Sequence, residues 1–511
     1  MRTLLALFFL CLLRSPSSPD FDSVVVEGGR ISGTLNKQGD VHIFRGIPFA
    51  APPIGELRWK APQPVRPWTG VRPCAVFGAS PMQAVPHPFG PWSAEFLIPA
   101  QPISEDCLYL NVWSGAKTAR EKRPVVVWIY GGGFTSGGSA CPIYDGEATA
   151  QKGVVFVSIN YRVGPFGFFA HPELSRESGR KASGNYGLLD QLAALQWVKR
   201  NIAAFGGDPA NVTIAGQSAG AMSVNCLVAS PLAKGLFTKA IAESGAKFST
   251  PHPTLAQAEA NGVNMAQSLG ITSLAELRAT PAEQILEKLP GRGPIIDGYV
   301  LPESIAAIFA AGQENDVTLL TGWNEDEGMV FAPPKSAGEY RQQIQLQYAE
   351  KATTFLTYYP AATDAQAATS QRAVSRDMSF GVQNYRWATL ASQQAQPVYV
   401  YRFTRQVPAT GQYASYGAFH TGEVAYAYDN LRFIDHQLRP LEPADAKLAR
   451  TMSTYVVNFI KTGNPNGKGL PPWPAFSTQT KRIMVLDILL GAASLPDEAA
   501  LKFLFSEMSK R

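Results

Sequence analysis

The stretch NVTIAGQSAGAMSVNCLV, residues 211–228, decides the fold. A β-branched run leads into Gly216-Gln217-Ser218-Ala219-Gly220, and a helix-forming run follows. Strand, G-x-S-x-G and helix in that order predict a sharp turn that strains the serine backbone and lifts its hydroxyl to the top of a sheet. Small residues two positions to either side leave room for that turn. The pentapeptide alone is weak evidence, because three fixed positions in five recur by chance and a purely structural Gly-rich turn reads the same way. A helix starting at Ala219 adds a second element, since its first N–H and its positive end face any anion formed beside Ser218.

Working outward, apolar β-rich runs recur at Val125–Tyr130, Val154–Ile159, Val212–Ala215, Ala240–Glu243, Val317–Thr321 and Val398–Phe403. Their continuous apolar character predicts parallel strands buried on both faces. Helical periodicity lies between them, most plainly over Tyr186–Asn201. This alternation predicts an α/β fold with a large, mostly parallel central sheet covered by helices on both faces. Gly-punctuated strand signals at Ser23–Val26 and Val41–Phe44 predict a small N-terminal antiparallel sheet. No internal repeat or low-complexity linker divides the chain, so residues 19–511 read as one domain.

The chain has 511 residues, 45% of them hydrophobic, enough for a large core. Its 45 basic and 40 acidic residues leave a net charge of +5. That is weak for this length, and no basic cluster interleaves with aromatics, so nucleic acid is not an expected partner. Arg2 followed by the apolar run Leu4–Leu13 and a Ser/Pro tract predicts a signal peptide over residues 1–18 and a secreted or periplasmic protein. Cys11 raises a lipid anchor, against which bulky Phe9 and Leu10 argue. No later segment is apolar and long enough to span a membrane. The remaining cysteines, Cys74, Cys107, Cys141 and Cys226, lack zinc-site spacing.

A serine nucleophile needs a base to take its proton, a third group to orient the base, and donors for the oxyanion. Gly131-Gly132-Gly133-Phe134 directly follows the run VVVWIY, and consecutive glycines let backbone N–H groups approach substrate closely. No GK[ST] follows, which argues against a phosphate loop. In the α/β-hydrolase order of Ser, acid and His, only His420 and His436 come late enough. His420 lies among small residues in a loop after the strand VYVYRF, whereas His436 has charged neighbours. The acid belongs after VTLLTG, where Glu325, Asp326 and Glu327 crowd together and spacing does not choose between them.

These residues resemble the type-B carboxylesterase family, which includes bacterial para-nitrobenzyl esterases, fungal lipases and animal cholinesterases. The likeness runs from about residue 23 to residue 487. It includes FRGIPFAAPPIGELRW (44–59), SEDCLYLNVW (104–113), PVVVWIYGGGF (124–134), GNYGLLDQLAALQWVKRNIAAFGGDPANVTIAGQSAG (184–220) and GAFHTGEVAY (417–426). The resemblance implies an α/β-hydrolase fold and hydrolysis of a small-molecule ester without metal or organic cofactor. It implies Ser218 as nucleophile, His420 as base and Glu327, directly before Gly328, as the acid. It assigns the oxyanion hole to Gly132, Gly133 and Ala219, a supporting position to Ser244, and structural ion pairs to Arg58–Glu105 and Arg162–Asp190. Loops around Phe134, Trp92, Pro294 and Phe331 are expected to shape the substrate pocket.

Two departures stand out. Pro81 occupies the place of the family's FGxxC cysteine, which leaves Cys107 free or paired with Cys74. The loop before EDCL ends FLIPAQP, without the tryptophan that stacks on choline, so cholinesterase activity is not expected. A lipase or an amide or carbamate hydrolase on the same fold is the alternative, with Val85–Pro102 either a mobile lid or a fixed wall. A non-catalytic binding protein is a more distant one, disfavoured because Ser218, Glu327 and His420 are all present.

Overall fold

The computed structural model describes residues 23–248, 252–288, 293–329 and 332–508. The expected leader over 1–18, with Cys11, lies outside the described residues, as does Phe331.

Eleven strands form the central sheet: β1 (Thr34–Leu35), β2 (His42–Pro48), β3 (Tyr109–Ser114), β4 (Arg123–Ile129), β5 (Val155–Ile159), β6 (Gly207–Gln217), β7 (Lys239–Glu243), β8 (Thr318–Asn324), β9 (Val398–Phe403), β10 (Arg482–Leu486) and β11 (Gly491–Ser494). Their spatial order is β11-β10-β9-β8-β7-β6-β4-β5-β3-β2-β1. The strands from β10 to β5 in that order are parallel, and antiparallel strands close both edges. Val125–Ile129 and every residue of β5 are buried, because helices cover the sheet on both faces and leave no solvated side to alternate toward. The principal helices are α1 (Tyr186–Asn201), α2 (Ala219–Ala229), α3 (Asp364–Arg376), α4 (Val382–Ala391), α5 (Pro443–Thr462) and α6 (Glu498–Met508). α2 packs on β4, β6 and β7.

Two expectations change. Val41–Phe44 does not belong to the small N-terminal sheet: Phe44 pairs with Val112, and all of this run but Val41 is part of β2 in the main sheet. The small sheet exists separately, from Val24–Val26, Gly29–Ser32 and Val71–Pro73, and its third strand runs parallel to the second. A short alternating run carries no mark of which distant strand it will pair with. The shifted Cys74–Cys107 bridge does not form; all four described cysteines are free and buried.

Register fixes where chemistry can occur. Gly216 pairs with Ile129, Gln217 with Glu243, and Glu243 with Gly322. Neighbouring parallel strands therefore end together. The loops leaving them carry the Gly131–Gly133 run, Ser218, the 244–248 segment, the 325–327 carboxylates and, beyond β9, His420.

Candidate active site

Ser218 sits between β6 and α2 with φ 58° and ψ −124°, a region that non-glycine residues avoid. Such strain persists only where the surroundings over-determine it. Here the Ser218 N–H donates to Glu243 O at 2.9 Å, and the Met222 N–H donates to Ser218 O at 2.9 Å. The motif's two glycines follow from close backbone approach. A Cβ on Gly216 would lie 2.6 Å from the Gly220 carbonyl, and one on Gly220 would lie 2.0 Å from Ile129 O. Neither position tolerates even alanine without displacing main chain.

The glycine run folds against this turn. A Cβ on Gly131 would meet Gln217 O at 2.7 Å and Ser218 Cβ at 2.9 Å. Gly132 has φ 115° and Gly133 φ 64°, and the N–H groups of Thr135 and Ser136 both donate to Gly132 O at 3.0 Å. Among the described residues, no backbone carbonyl accepts from the N–H groups of Gly132, Gly133 or Ala219. Gly131, Gly132, Gly133, Ser218 and His420 line one cavity.

The three crowded carboxylates have three different environments. Glu325 pairs with Arg376 and Arg402. Asp326 accepts from Ala418 N at 2.9 Å and from Gln406 Nε2 at 2.7 Å, tying down the loop that carries His420. Glu327 is buried; its Oε1 accepts from Asn324 N at 2.8 Å and its Oε2 lies 2.8 Å from His420 Nδ1. The His420 ring stacks on Phe380 at 4.4 Å with the planes 17° apart, and Trp92 meets it edge-on. Gln217 Nε2 lies 3.2 Å from His420 Nε2. No hydrogen bond joins Ser218 Oγ to His420 among the described residues.

Behind the Glu327–His420 pair lies a buried acid cluster that the sequence reading did not identify. Asn324 Nδ2 donates to Phe419 O at 2.8 Å and to Glu423, while Tyr428 OH donates to Glu243 Oε1 at 3.0 Å. The available signals were a glutamate three residues after His420 and another closing the apolar strand KAIAE. Burial pushes the Glu243 carboxyl up to about 8 and raises Glu423 well above the usual range, with Glu243 and Glu327 adding to the latter shift. The folded chain thus keeps protons that unfolded glutamates release near 4.5. Stability held in these protons is complete below the unfolded value and is lost as pH rises toward 8. Glu243→Gln, which keeps a neutral group, is expected to flatten the fall in Tm between about pH 5 and pH 8. A slope unchanged from wild type would refute the assignment.

The cavity encloses about 730 Å³ and is largely apolar, with Trp92, Phe96, Ile98, Met222, Met329 and Met378 on its wall. Trp92 is where the sequence reading put it. Phe134 is not on the wall: it is buried, with a positive φ of 64°, and its ring lies edge-on to Phe168 at 5.3 Å. Pro294 is buried and likewise lines no part of the cavity. Ser244, with φ 54°, is fully buried; its N–H donates to Gly322 O, and its hydroxyl has no hydrogen-bond partner among the described residues. Phe380 and Gln217 had no distinguishing sequence signal. The wall segment is anchored: buried Arg439 donates to Pro91 O at 2.5 Å, Trp92 Nε1 donates to Thr421 Oγ1 at 3.2 Å, and Phe96 packs edge-on to Phe419.

Both expected ion pairs form. Arg58 grips Glu105 through Nε and Nη2, and its Nη1 donates to carbonyls of Leu277, Arg278 and Thr280. Arg162 makes the same two-pronged contact with Asp190 at 2.8 and 2.7 Å. Bidentate, buried pairs of this kind fix loop positions.

Comparison with known proteins agrees with this architecture. A solved para-nitrobenzyl (PNB) esterase structure superposes with a TM-score of 0.81 at 33% identity, covering 94% of this chain and 99% of the other. The chain is 38% identical to a fumonisin B1 esterase of Sphingopyxis macrogoltabida, over 88% of this chain and 84% of the relative. It is 35% identical to a para-nitrobenzyl esterase of Bacillus subtilis (strain 168), over 94% and 98% respectively. It is 34% identical to a medium-chain fatty acyl-CoA hydrolase precursor of Anas platyrhynchos, over 94% and 91%. The sequence profile of the carboxylesterase family matches residues 20–503. With an α/β-hydrolase sheet, a serine on its strand-to-helix turn and relatives that are ester hydrolases over nearly their whole length, the chain belongs to the carboxylesterase family and is a carboxylic ester hydrolase.

Proposed function

We propose that Ser218, His420 and Glu327 hydrolyse a carboxylic ester through an acyl-enzyme, with the N–H groups of Gly132, Gly133 and Ala219 holding the oxyanion. One observation carries this reading: the 2.8 Å contact between Glu327 and His420 Nδ1, on the wall of a cavity that also receives Ser218 and the glycine run. Glu327 accepts the Nδ1 proton, which leaves Nε2 as the basic nitrogen. In the reactive arrangement Ser218 Oγ replaces the Gln217 amide as the partner of Nε2. His420 takes the hydroxyl proton as Oγ attacks the ester carbonyl, and Glu327 stabilises the imidazolium. The carbonyl oxygen gains charge against the three N–H groups, none of which is committed to a backbone carbonyl among the described residues. The tetrahedral intermediate collapses, the C–O bond to the alcohol breaks, and His420 returns the proton to the leaving oxygen. Water then repeats the sequence on the acyl-enzyme and releases the acid.

The anchoring of residues 91–96 favours a fixed cavity wall over a lipase lid. A fluorophosphonate tests the nucleophile directly. It is expected to label one residue, Ser218, with loss of activity in step with labelling; mass-spectrometric mapping of the adduct to another residue would overturn the proposal.

A further inference from the structure

The cavity wall carries one lysine, which ester hydrolysis does not use. Among its described lining residues there is no aspartate or glutamate; apart from His87 and His420, the titratable oxygen and nitrogen groups reduce to Tyr144 and Lys247. Lys247 leaves β7 in the short segment that also carries Ser244, and its backbone is held firmly. Its N–H donates to Asn225 Oδ1 on α2 at 3.0 Å, and the next N–H, of Phe248, donates to Gln383 Oε1 on α4 at 2.8 Å. The ammonium itself makes no ion pair or hydrogen bond with another described residue. The neighbouring titratable groups are Cys226 and His252, and neither supplies a fixed negative charge. Burial accordingly lowers the Lys247 pKa. A partly buried ammonium without a counterion is costly, and an anion entering beside it recovers that cost.

We propose that Lys247 is a specificity-determining residue that pairs with a carboxylate on the substrate, so that the preferred esters carry an acid group on the acyl or the alcohol portion. The proposal rests on the esterase reading above and narrows its substrate class. The cavity suits such a molecule: an apolar wall for the carbon skeleton, a reactive serine, and one cation to fix orientation, as small-molecule sites commonly place a few polar groups in apolar surroundings.

The test compares matched esters. 4-Nitrophenyl hydrogen adipate carries its anion on the acyl side, with neutral 4-nitrophenyl heptanoate as its partner. 4-Acetoxybenzoate carries the anion on the alcohol side, with neutral 4-acetoxybenzamide as its partner. For the full-length protein, Lys247→Met is expected to lower kcat/KM for at least one anionic ester by about 10- to 100-fold, mainly through KM. The neutral partners should change by less than about 3-fold, which also shows that the variant is folded. Lys247→Arg keeps the charge and should retain most of the anionic preference. The arm that falls identifies which side of the ester meets the ammonium. Equal losses on anionic and neutral esters, or no loss on either anionic ester, would overturn the proposal. Failure of the esterase mechanism reads out differently, as neutral-ester hydrolysis that survives Ser218→Ala.

Discussion

Replacing Ser218 with alanine is expected to lower kcat on a 4-nitrophenyl short-chain ester by about 10,000- to 1,000,000-fold, with Tm nearly unchanged. The loss is large because, in the proposed mechanism, the hydroxyl is the group that forms and breaks the covalent bond. No neighbouring side chain duplicates it: the adjacent Gln217 carries an amide, and Ala219 carries nothing reactive. The residual rate measures what the glycine run and α2 do alone, since polarising the carbonyl helps water attack as well. Stability should hold because Ser218 Oγ has no hydrogen bond to lose among the described residues, and alanine at φ 58° bears the same backbone strain as serine. Steady-state kinetics and a thermal melt on the purified variant decide this. Wild-type turnover would remove Ser218 from the mechanism.

The second large effect separates two adjacent carboxylates. Glu327→Gln should lower kcat by about 1,000- to 10,000-fold, because an amide can present its N–H to His420 Nδ1 and so favour the wrong tautomer, and it no longer stabilises the imidazolium. Asp326→Asn should cost less than about 10-fold in rate. Its carboxylate accepts from Ala418 N and Gln406 Nε2 and makes no contact with the histidine ring. Its loss is expected in stability, at about 1 kcal/mol. Parallel kinetics and melts on the two variants give the answer, and a greater rate loss in the Asp326 variant would reverse the assignment.

What could be read beforehand follows from which forces are local. β5 and β9 are buried along their whole length, so their apolar runs mark them directly, and the amphipathic Tyr186–Asn201 run becomes α1 with the same ends. Val41–Phe44 was misplaced because its partner, in β3, is set by pairing across the chain and not by its own residues. Glu325, Asp326 and Glu327 are alike in sequence; Arg376, Ala418 and His420 distinguish them only once the chain has folded. Phe134 looked like a pocket residue from its place beside the glycine run, yet its ring is buried against Phe168. Phe380 arrives at His420 from a helical turn forty residues away in sequence, and nothing about FGVQ marks it as a stacking partner.

The four free thiols have a consequence for handling the protein. Burial raises Cys74 to about 11 and Cys226 to about 12, and raises Cys107 as well. At neutral pH these sulfurs are neither ionised nor accessible, so alkylating reagents reach them only when the surrounding core opens. Among the described residues no disulfide cross-links the fold. The rate at which a thiol reagent modifies Cys74, Cys107 and Cys226 is therefore a clock for the opening of the shared core around each of them.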